Sequence, residues 1–214
     1  MNGVVIVGTG GQARELHALL EALDRPCEGF VDDDPGRPST VHGLPLLGDL
    51  NWLDLHRDAD VVVGIGAPAT RHAVVSRLRA MGVDRFPTLV HPDASVGPRV
   101  ELGIGVYVCP GAVLTTDVRV GDHVLVNFAA TIGHDALLED HVTVAPGVHV
   151  SGAVTVGQGA DVGTGAALLQ GVQIGAWSIV GAGAVVREDV EPNTTVVGVP
   201  AREIARRETD WQLG

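Results

Sequence analysis

Aromatic residues are nearly missing from this 214-residue chain: Phe, Trp and Tyr together make up 3% of it. Ordinary globular cores rely on those rings as bulky fillers. The chain is nonetheless 45% hydrophobic, with 29 glycines and a mean hydropathy of +0.26. That hydropathy excludes disorder, and the lack of a strict Gly-X-Y period excludes collagen. What remains is the profile of thin, repetitive layers built from Val, Ile, Leu, Ala and Gly.

Cysteine is scarce too. Cys27 and Cys109 lie far apart with no CxxC spacing, so they read as small buried hydrophobes in a reducing compartment. Basic residues are outnumbered: the formal charge is −12, the pI is near 5.0 and no basic stripe occurs, which argues against a nucleic-acid groove. No apolar run approaches the ~20 residues of a membrane span. No basic segment followed by an apolar one opens the chain. These absences predict a soluble cytoplasmic protein, and 22.1 kDa leaves room for one large domain or two small ones.

The pattern that is present has a period of six. Stepping from Val96 by sixes meets Leu102, Val108, Leu114, Val120, Val126, Ile132 and Leu138, and continues through Val144, Val150, Val156, Val162, Leu168, Ile174, Val180 and Val186. Four residues after each anchor stands a small or β-branched residue, such as Ala112, Val124, Ala136, Val148 and Ala166. Glycine recurs directly after the anchor and again at the fourth hexad position, where a corner can require positive φ. An α-helix needs a period near 3.6 and a simple strand a period of 2. Six-residue spacing with β-branched anchors predicts short strands joined by tight corners. Three hexads make one 18-residue coil of a triangular prism, and at ~4.8 Å per strand the stack is about 25 Å tall. Such a stack needs caps at its ends; Pro192 is expected to stop the last coil and the N-terminal domain to cover the first.

Residues 1–90 read as alternating strand and helix. Val4–Val7 is a buried strand, followed by Gly8-Thr9-Gly10-Gly11-Gln12-Ala13 and a helix with Leu16, Leu19, Leu20 and Leu23 on one face. Glu28–Val31 is a second strand running into Asp32-Asp33-Asp34. Val61–Gly66 is a third, followed by a helix carrying Val74, Leu78 and Met81. The pattern predicts a small parallel α/β unit of the nucleotide-binding kind. Its glycine turn suits a phosphate at a helix N-terminus, and its acidic pair suits ribose hydroxyls; both segments are also compatible with plain turns.

A Rossmann-like domain feeding a hexapeptide prism resembles, over essentially the whole chain, the NeuD/PglD family of sialic acid O-acetyltransferases and bacillosamine N-acetyltransferases. The matching segments are Val7-Gly8-Thr9-Gly10-Gly11, Phe30-Val31-Asp32-Asp33, Val63-Gly64-Ile65-Gly66, His91-Pro92, Asn127 with Ile132-Gly133-His134-Asp135, Pro146-Gly147 and Val197-Gly198-Val199-Pro200-Ala201. The resemblance implies an α/β Rossmann-like domain over 1–90, a left-handed parallel β-helix over 91–191 and a cap or tail over 192–214. It also implies a homotrimer with acetyl-CoA between neighbouring prisms and a nucleotide-activated amino sugar as acceptor. The family's catalytic histidine matches His134, its acidic neighbour Asp135 and its asparagine Asn127. Nucleotide-sugar contacts match Gly11, Gln12, Ala13, Asp32, Asp33 and Gly66. Acetyl-CoA contacts match Thr143, Thr164 and Ala182, and no metal is implied. Many members carry His where this chain has Thr143 and Gln12.

Read as chemistry, acyl transfer from a thioester needs a base for the attacking amine or hydroxyl, and histidine suits that role. Asp135 can raise the basicity of His134, and a backbone N–H at a glycine-rich corner can hold the oxyanion. Two other readings stand beside this one. His123 and His141 are 18 residues apart, stacked on one corner, and with a ligand from another subunit would suit a metal-dependent hydratase of the γ-carbonic anhydrase type. A non-catalytic trimeric scaffold is the third. Trp177 either stacks on an adenine or covers a prism edge. Arg202, Arg206 and Arg207 form a solvated basic tail or meet CoA phosphates.

Overall fold

The computed structural model describes residues 3–208. The described residues form two compact units, one running to Gly66 and resuming over Thr70–Leu89, the other comprising Ala67–Ala69 and residues 90–208.

The first unit is built on a five-stranded sheet. Strand β1 (Val4–Val7) leads into helix α1 (Gly11–Ala22) and strand β2 (Cys27–Val31). Strands β3 (Thr40–Val41) and β4 (Leu44–Gly48), a 3₁₀ helix (Leu50–Leu55), strand β5 (Asp60–Val63) and helix α2 (Pro68–Ala80) follow. The sheet order is β3-β4-β2-β1-β5, parallel except for the β3–β4 hairpin. β1 is wholly buried, as its unbroken run of branched apolar residues requires. Helix α1 buries Ala13, Leu16, Leu19 and Leu20. The third expected strand ends at Val63; Gly64 still donates to the Val7 carbonyl (2.8 Å) and packs closely on α1, where a Cβ would lie 2.5 Å from the Ala13 Cα. On α2 the inward stripe is Arg71, Val75 and Leu78, with Met81 beyond the helix end. The 1% exposed Arg71 donates from Nη1 to the carbonyls of Ile65 (2.9 Å) and Gly66 (2.8 Å), which is why a cation can sit on an apolar face.

The second unit is a left-handed parallel β-helix of three sheets. Face I starts at Ser95–Val96, face II at Glu101–Leu102, and face III at Leu89–Val90 and Tyr107–Val108. Each strand pairs in parallel with the strand 18 residues later, as in Val113↔Thr131 and Thr131↔His149. The anchors from Val108 to Val186 are all 5% exposed or less and form one continuous column. Val96, at the start of the series, is 39% exposed. Every fourth-position residue from Arg99 to Gly183 has φ between 53° and 72°, except Gly171 at 77°. That left-handed corner explains the glycines, yet Arg99, Asp117, His123, Ala129, Asp135, His141, Ala153 and Trp177 take it as well.

Pro192 does not end the stack. Asn193, at φ 60°, makes one more corner, and Thr194–Val197 pairs in parallel with Ile179–Val180. Arg202–Arg206 then folds back antiparallel on that strand. Arg207 is tied in as well: its guanidinium donates to the Trp177 carbonyl (3.2 Å) and Thr195 Oγ1 (3.0 Å). It is a clamp on the last coil, while Arg202–Arg206 is exposed.

Candidate functional site

His134 lies at the corner between faces I and II. Its Nδ1 is 2.7 Å from Asp135 Oδ2, and both side chains are more than half exposed. An ionised carboxylate only accepts, so in the neutral imidazole Nδ1 carries the proton and Nε2 keeps its lone pair. Asp135 is held by its own backbone, whose N–H donates to the Thr116 carbonyl one coil below (3.3 Å). One coil above, Gly152 leaves room for the ring: a Cβ there would lie 2.5 Å from His134 Cε1 and Nε2. The Gly152 N–H makes no hydrogen bond among the described residues. A cleft of about 590 Å³ opens beside Asp135, walled by Arg99, Glu101, Asp117, Arg119 and Leu137.

Asn127, Thr143, Thr164 and Ala182 gather elsewhere on the prism. Asn127, Thr164 and Ala182 line the corner between faces III and I, and Thr143 opens the adjoining strand on face III. Asn127 is 7% exposed and accepts from the Phe128 N–H through Oδ1 (2.8 Å). Within one chain, face I therefore lies between this corner and the His134–Asp135 corner.

In the first unit, the loop after β1 leads into α1 with no side-chain cap and no acidic residue in the first turn. Those open N–H groups and the helix dipole suit an anion. A Cβ on Gly10 would meet nothing within 4 Å, and one on Gly11 only the Arg14 Nη2 at 4.0 Å, so the loop is open to a ligand. Ala13 is wholly buried under Gly64. Gln12 turns toward Gly66, and its Nε2 is buried without a hydrogen-bond partner among the described residues. Asp32 accepts from Thr9 Oγ1 (2.6 Å) and the Asp34 N–H (2.9 Å). Asp33 accepts from the Leu50 N–H (2.9 Å) and from Arg77. Partial burial works against its charge, but those two donors hold its carboxyl below the usual range.

Comparison with known proteins decides the family. Residues 3–78 match the PglD N-terminal domain. Perosamine N-acetyltransferase from Caulobacter crescentus, solved with CoA and GDP-perosamine, is 35% identical, covers 96% of this chain and 98% of its own, and has a TM-score of 0.90. The acetyltransferase domain of PglB from Neisseria gonorrhoeae, solved with acetyl coenzyme A, is 32% identical over 95% of this chain and 100% of its own (TM-score 0.87). WeeI from Acinetobacter baumannii is 30% identical over 95% and 100% (TM-score 0.85). The chain belongs to the PglD-like sugar acetyltransferases. A search of curated proteins found no match.

Set in that family, several features stand out that the hexad pattern did not single out. Arg99, Thr116 and Asp117 form a network under the His134–Asp135 corner. Their separation of about one coil was the available signal. Trp177 is 8% exposed and lies over Gly159, where any Cβ would collide with its ring, so it covers a prism edge. His123 and His141 are buried and stacked, with ring centroids 5.2 Å apart and planes 7° from parallel. Lone pairs in two such parallel planes do not converge on one ion.

Proposed function

We propose that this chain is an acetyl-CoA-dependent acetyltransferase acting on a nucleotide-activated amino sugar, with His134 as general base. The observation that carries the reading is the His134–Asp135 pair, which leaves Nε2 as the free basic nitrogen over Gly152. As the acceptor amine or hydroxyl attacks the thioester carbonyl, its proton passes to Nε2. Asp135 fixes the tautomer and stabilises the imidazolium. The oxyanion accepts from a corner amide, for which the Gly152 N–H is open and adjacent. Collapse breaks the carbon–sulfur bond, and the imidazolium returns its proton to the leaving thiolate. No acyl-enzyme forms.

The first unit supplies the nucleotide end through the loop at Gly11 and Gln12, the Asp32–Asp33 turn and Gly66, with Ala13 seating the helix. The second supplies acyl transfer. Because Asn127, Thr143, Thr164 and Ala182 lie across face I from His134, one chain does not bring them to the dyad. A homotrimer, in which one prism's corner meets its neighbour's, does, and it places acetyl-CoA between them. Use of acetyl-CoA points to the cytoplasm, and no helix among the described residues is long and apolar enough to cross a membrane.

The deciding experiment is thiol release from acetyl-CoA with a panel of nucleotide amino sugars, GDP-perosamine among them, on protein of measured mass. Turnover by a particle near three times 22.1 kDa is expected. A folded protein that binds no acetyl-CoA would point to the scaffold reading instead, and a monomer that turns over would remove the shared site.

A further inference from the structure

The cleft beside Asp135 has a wall whose chemistry the reaction above does not use. Arg99 binds Asp117 through two parallel bonds, Nε to Oδ1 (2.6 Å) and Nη2 to Oδ2 (2.9 Å). Thr116 Oγ1 accepts from Arg99 Nη2 (2.8 Å) and lies 2.8 Å from Asp117 Oδ2. Three side chains thus lock one another, as a recognition surface requires. The lock leaves specific valences open. Arg99 Nη1 still has its N–H groups, and Asp117 Oδ1 keeps a lone pair. A donor and an acceptor side by side fit a hydroxyl group, which gives one hydrogen bond and takes another.

The neighbouring strand pair repeats the motif. Arg119 and Glu101 stand opposite each other in register on face II, and neither side chain makes a hydrogen bond or ion pair among the described residues. The cleft therefore offers guanidinium donors and carboxylate acceptors in alternation. Leu137 supplies its apolar side chain. A phosphate would meet three carboxylates here, from Glu101, Asp117 and Asp135, so the pyrophosphate and the CoA phosphates belong elsewhere. A volume of about 590 Å³ lies within the range of small-molecule sites.

We propose that this cleft takes the hexose ring of the acceptor, and that Arg99 and Asp117 are specificity residues reading a ring hydroxyl near the group to be acetylated. This rests on the acetyltransferase reading above. It adds that sugar selection is set on the prism, one coil below His134, as well as at the nucleotide loop. Asp117 suits the task because Arg99, Thr116 and the nearby His134 hold its carboxyl down to about 2, so it accepts and never donates at working pH.

The test compares wild type with Asp117→Asn and Arg99→Gln on the acceptor that wild type acetylates best from the nucleotide amino-sugar panel. Hydrogen bonds to charged groups set the scale: kcat/KM for that acceptor should fall about tenfold to a hundredfold. The loss should appear in the acceptor KM, with the acetyl-CoA KM unchanged. A readout that general loosening would not move is the acceptor lacking the hydroxyl concerned. Against a series deoxygenated at one ring position at a time, one member should show no further loss in Asp117→Asn. A folded Asp117→Asn with unchanged acceptor kinetics, or one equally impaired with every deoxy acceptor, overturns this inference and leaves the acetyltransferase reading intact. Wild type that acetylates no member of the panel overturns both.

Discussion

Two corners of the same prism share one backbone and differ in almost everything else. At the corner between faces II and III, the side chains close the structure on itself. Asp122 Oδ1 accepts from the Ile104 N–H (3.0 Å), Asp140 Oδ1 from the Asp122 N–H (2.8 Å) and Glu139 Oε2 from the Gln158 N–H (2.8 Å). His123 and His141 stack, and Trp177 covers Gly159. At the corner between faces I and II the same backbone amides at His134 and Gly152 have no such acceptors among the described residues, and the His134 and Asp135 side chains stand out in solvent. The hexad fixes where a corner residue stands. Its chemistry then decides whether the corner is sealed or left open to solvent.

The frame common to both corners can be broken at once. Val150 is 3% exposed in the central column, and Val150→Asp buries an unpaired carboxylate at a cost of several kcal/mol. Expression should yield no native-like particle, by circular dichroism and by mass; a folded Val150→Asp protein would mean the anchors do not face inward. The next effect separates the corners. His134→Ala should lower kcat by about 10²–10⁴-fold while acetyl-CoA affinity and melting temperature stay near wild type. Near-normal turnover by the folded variant would remove His134 as the base.

The prism was legible in the sequence because every coil asks the same thing of its anchor, so one environmental rule repeats until it cannot be missed. His134 and Asp135 were legible through a short segment carried by the family resemblance. The β3–β4 hairpin and the 3₁₀ helix were not, since Thr40–Val41 is too short to show a period and the flanking segment is rich in Pro and Gly. Arg71 was hidden because a cation on the inner stripe of α2 contradicts its apolar pattern; the carbonyls it serves, those of Ile65 and Gly66 among them, explain it. Arg99, Thr116 and Asp117 were hidden differently. They touch only once the 18-residue coil is imposed, and charged residues on a corner look like ordinary solvated surface until then.

The sealed corner makes the opposite expectation to the open one. His123 is 1% exposed, and its ring stacks on His141. Truncation leaves a void in a packed column, at a typical cost of about 2–4 kcal/mol for a large buried side chain. His123→Ala should melt several degrees lower. Its kcat, measured at a temperature where it is fully folded, should stay within a few-fold of wild type. A loss of turnover comparable to that of His134→Ala, without a drop in stability, would reverse the assignment of the two corners.

The smallest effect concerns the open corner's own charges and their dependence on pH. Arg99 and Thr116 hydrogen-bond the Asp117 carboxylate and lower it from 3.8 to about 2. Its folded value thus lies below its unfolded one. The ionised form therefore contributes stability that is fully present above pH 4 and fades as the pH falls through 4 toward 2. Because the pair is solvated and screened, its contribution is modest. Thermal melts of wild type and Asp117→Asn should differ by a few degrees at most at pH 6, with wild type higher, and that gap should close as the pH approaches 2. In high salt the gap at pH 6 should shrink as well. The sealed corner supplies the control: His123→Ala removes packing rather than an ion pair, so its deficit should persist through the same salt series. A gap for Asp117→Asn that ignores both pH and salt would show that Asp117 serves the corner by shape and not by charge.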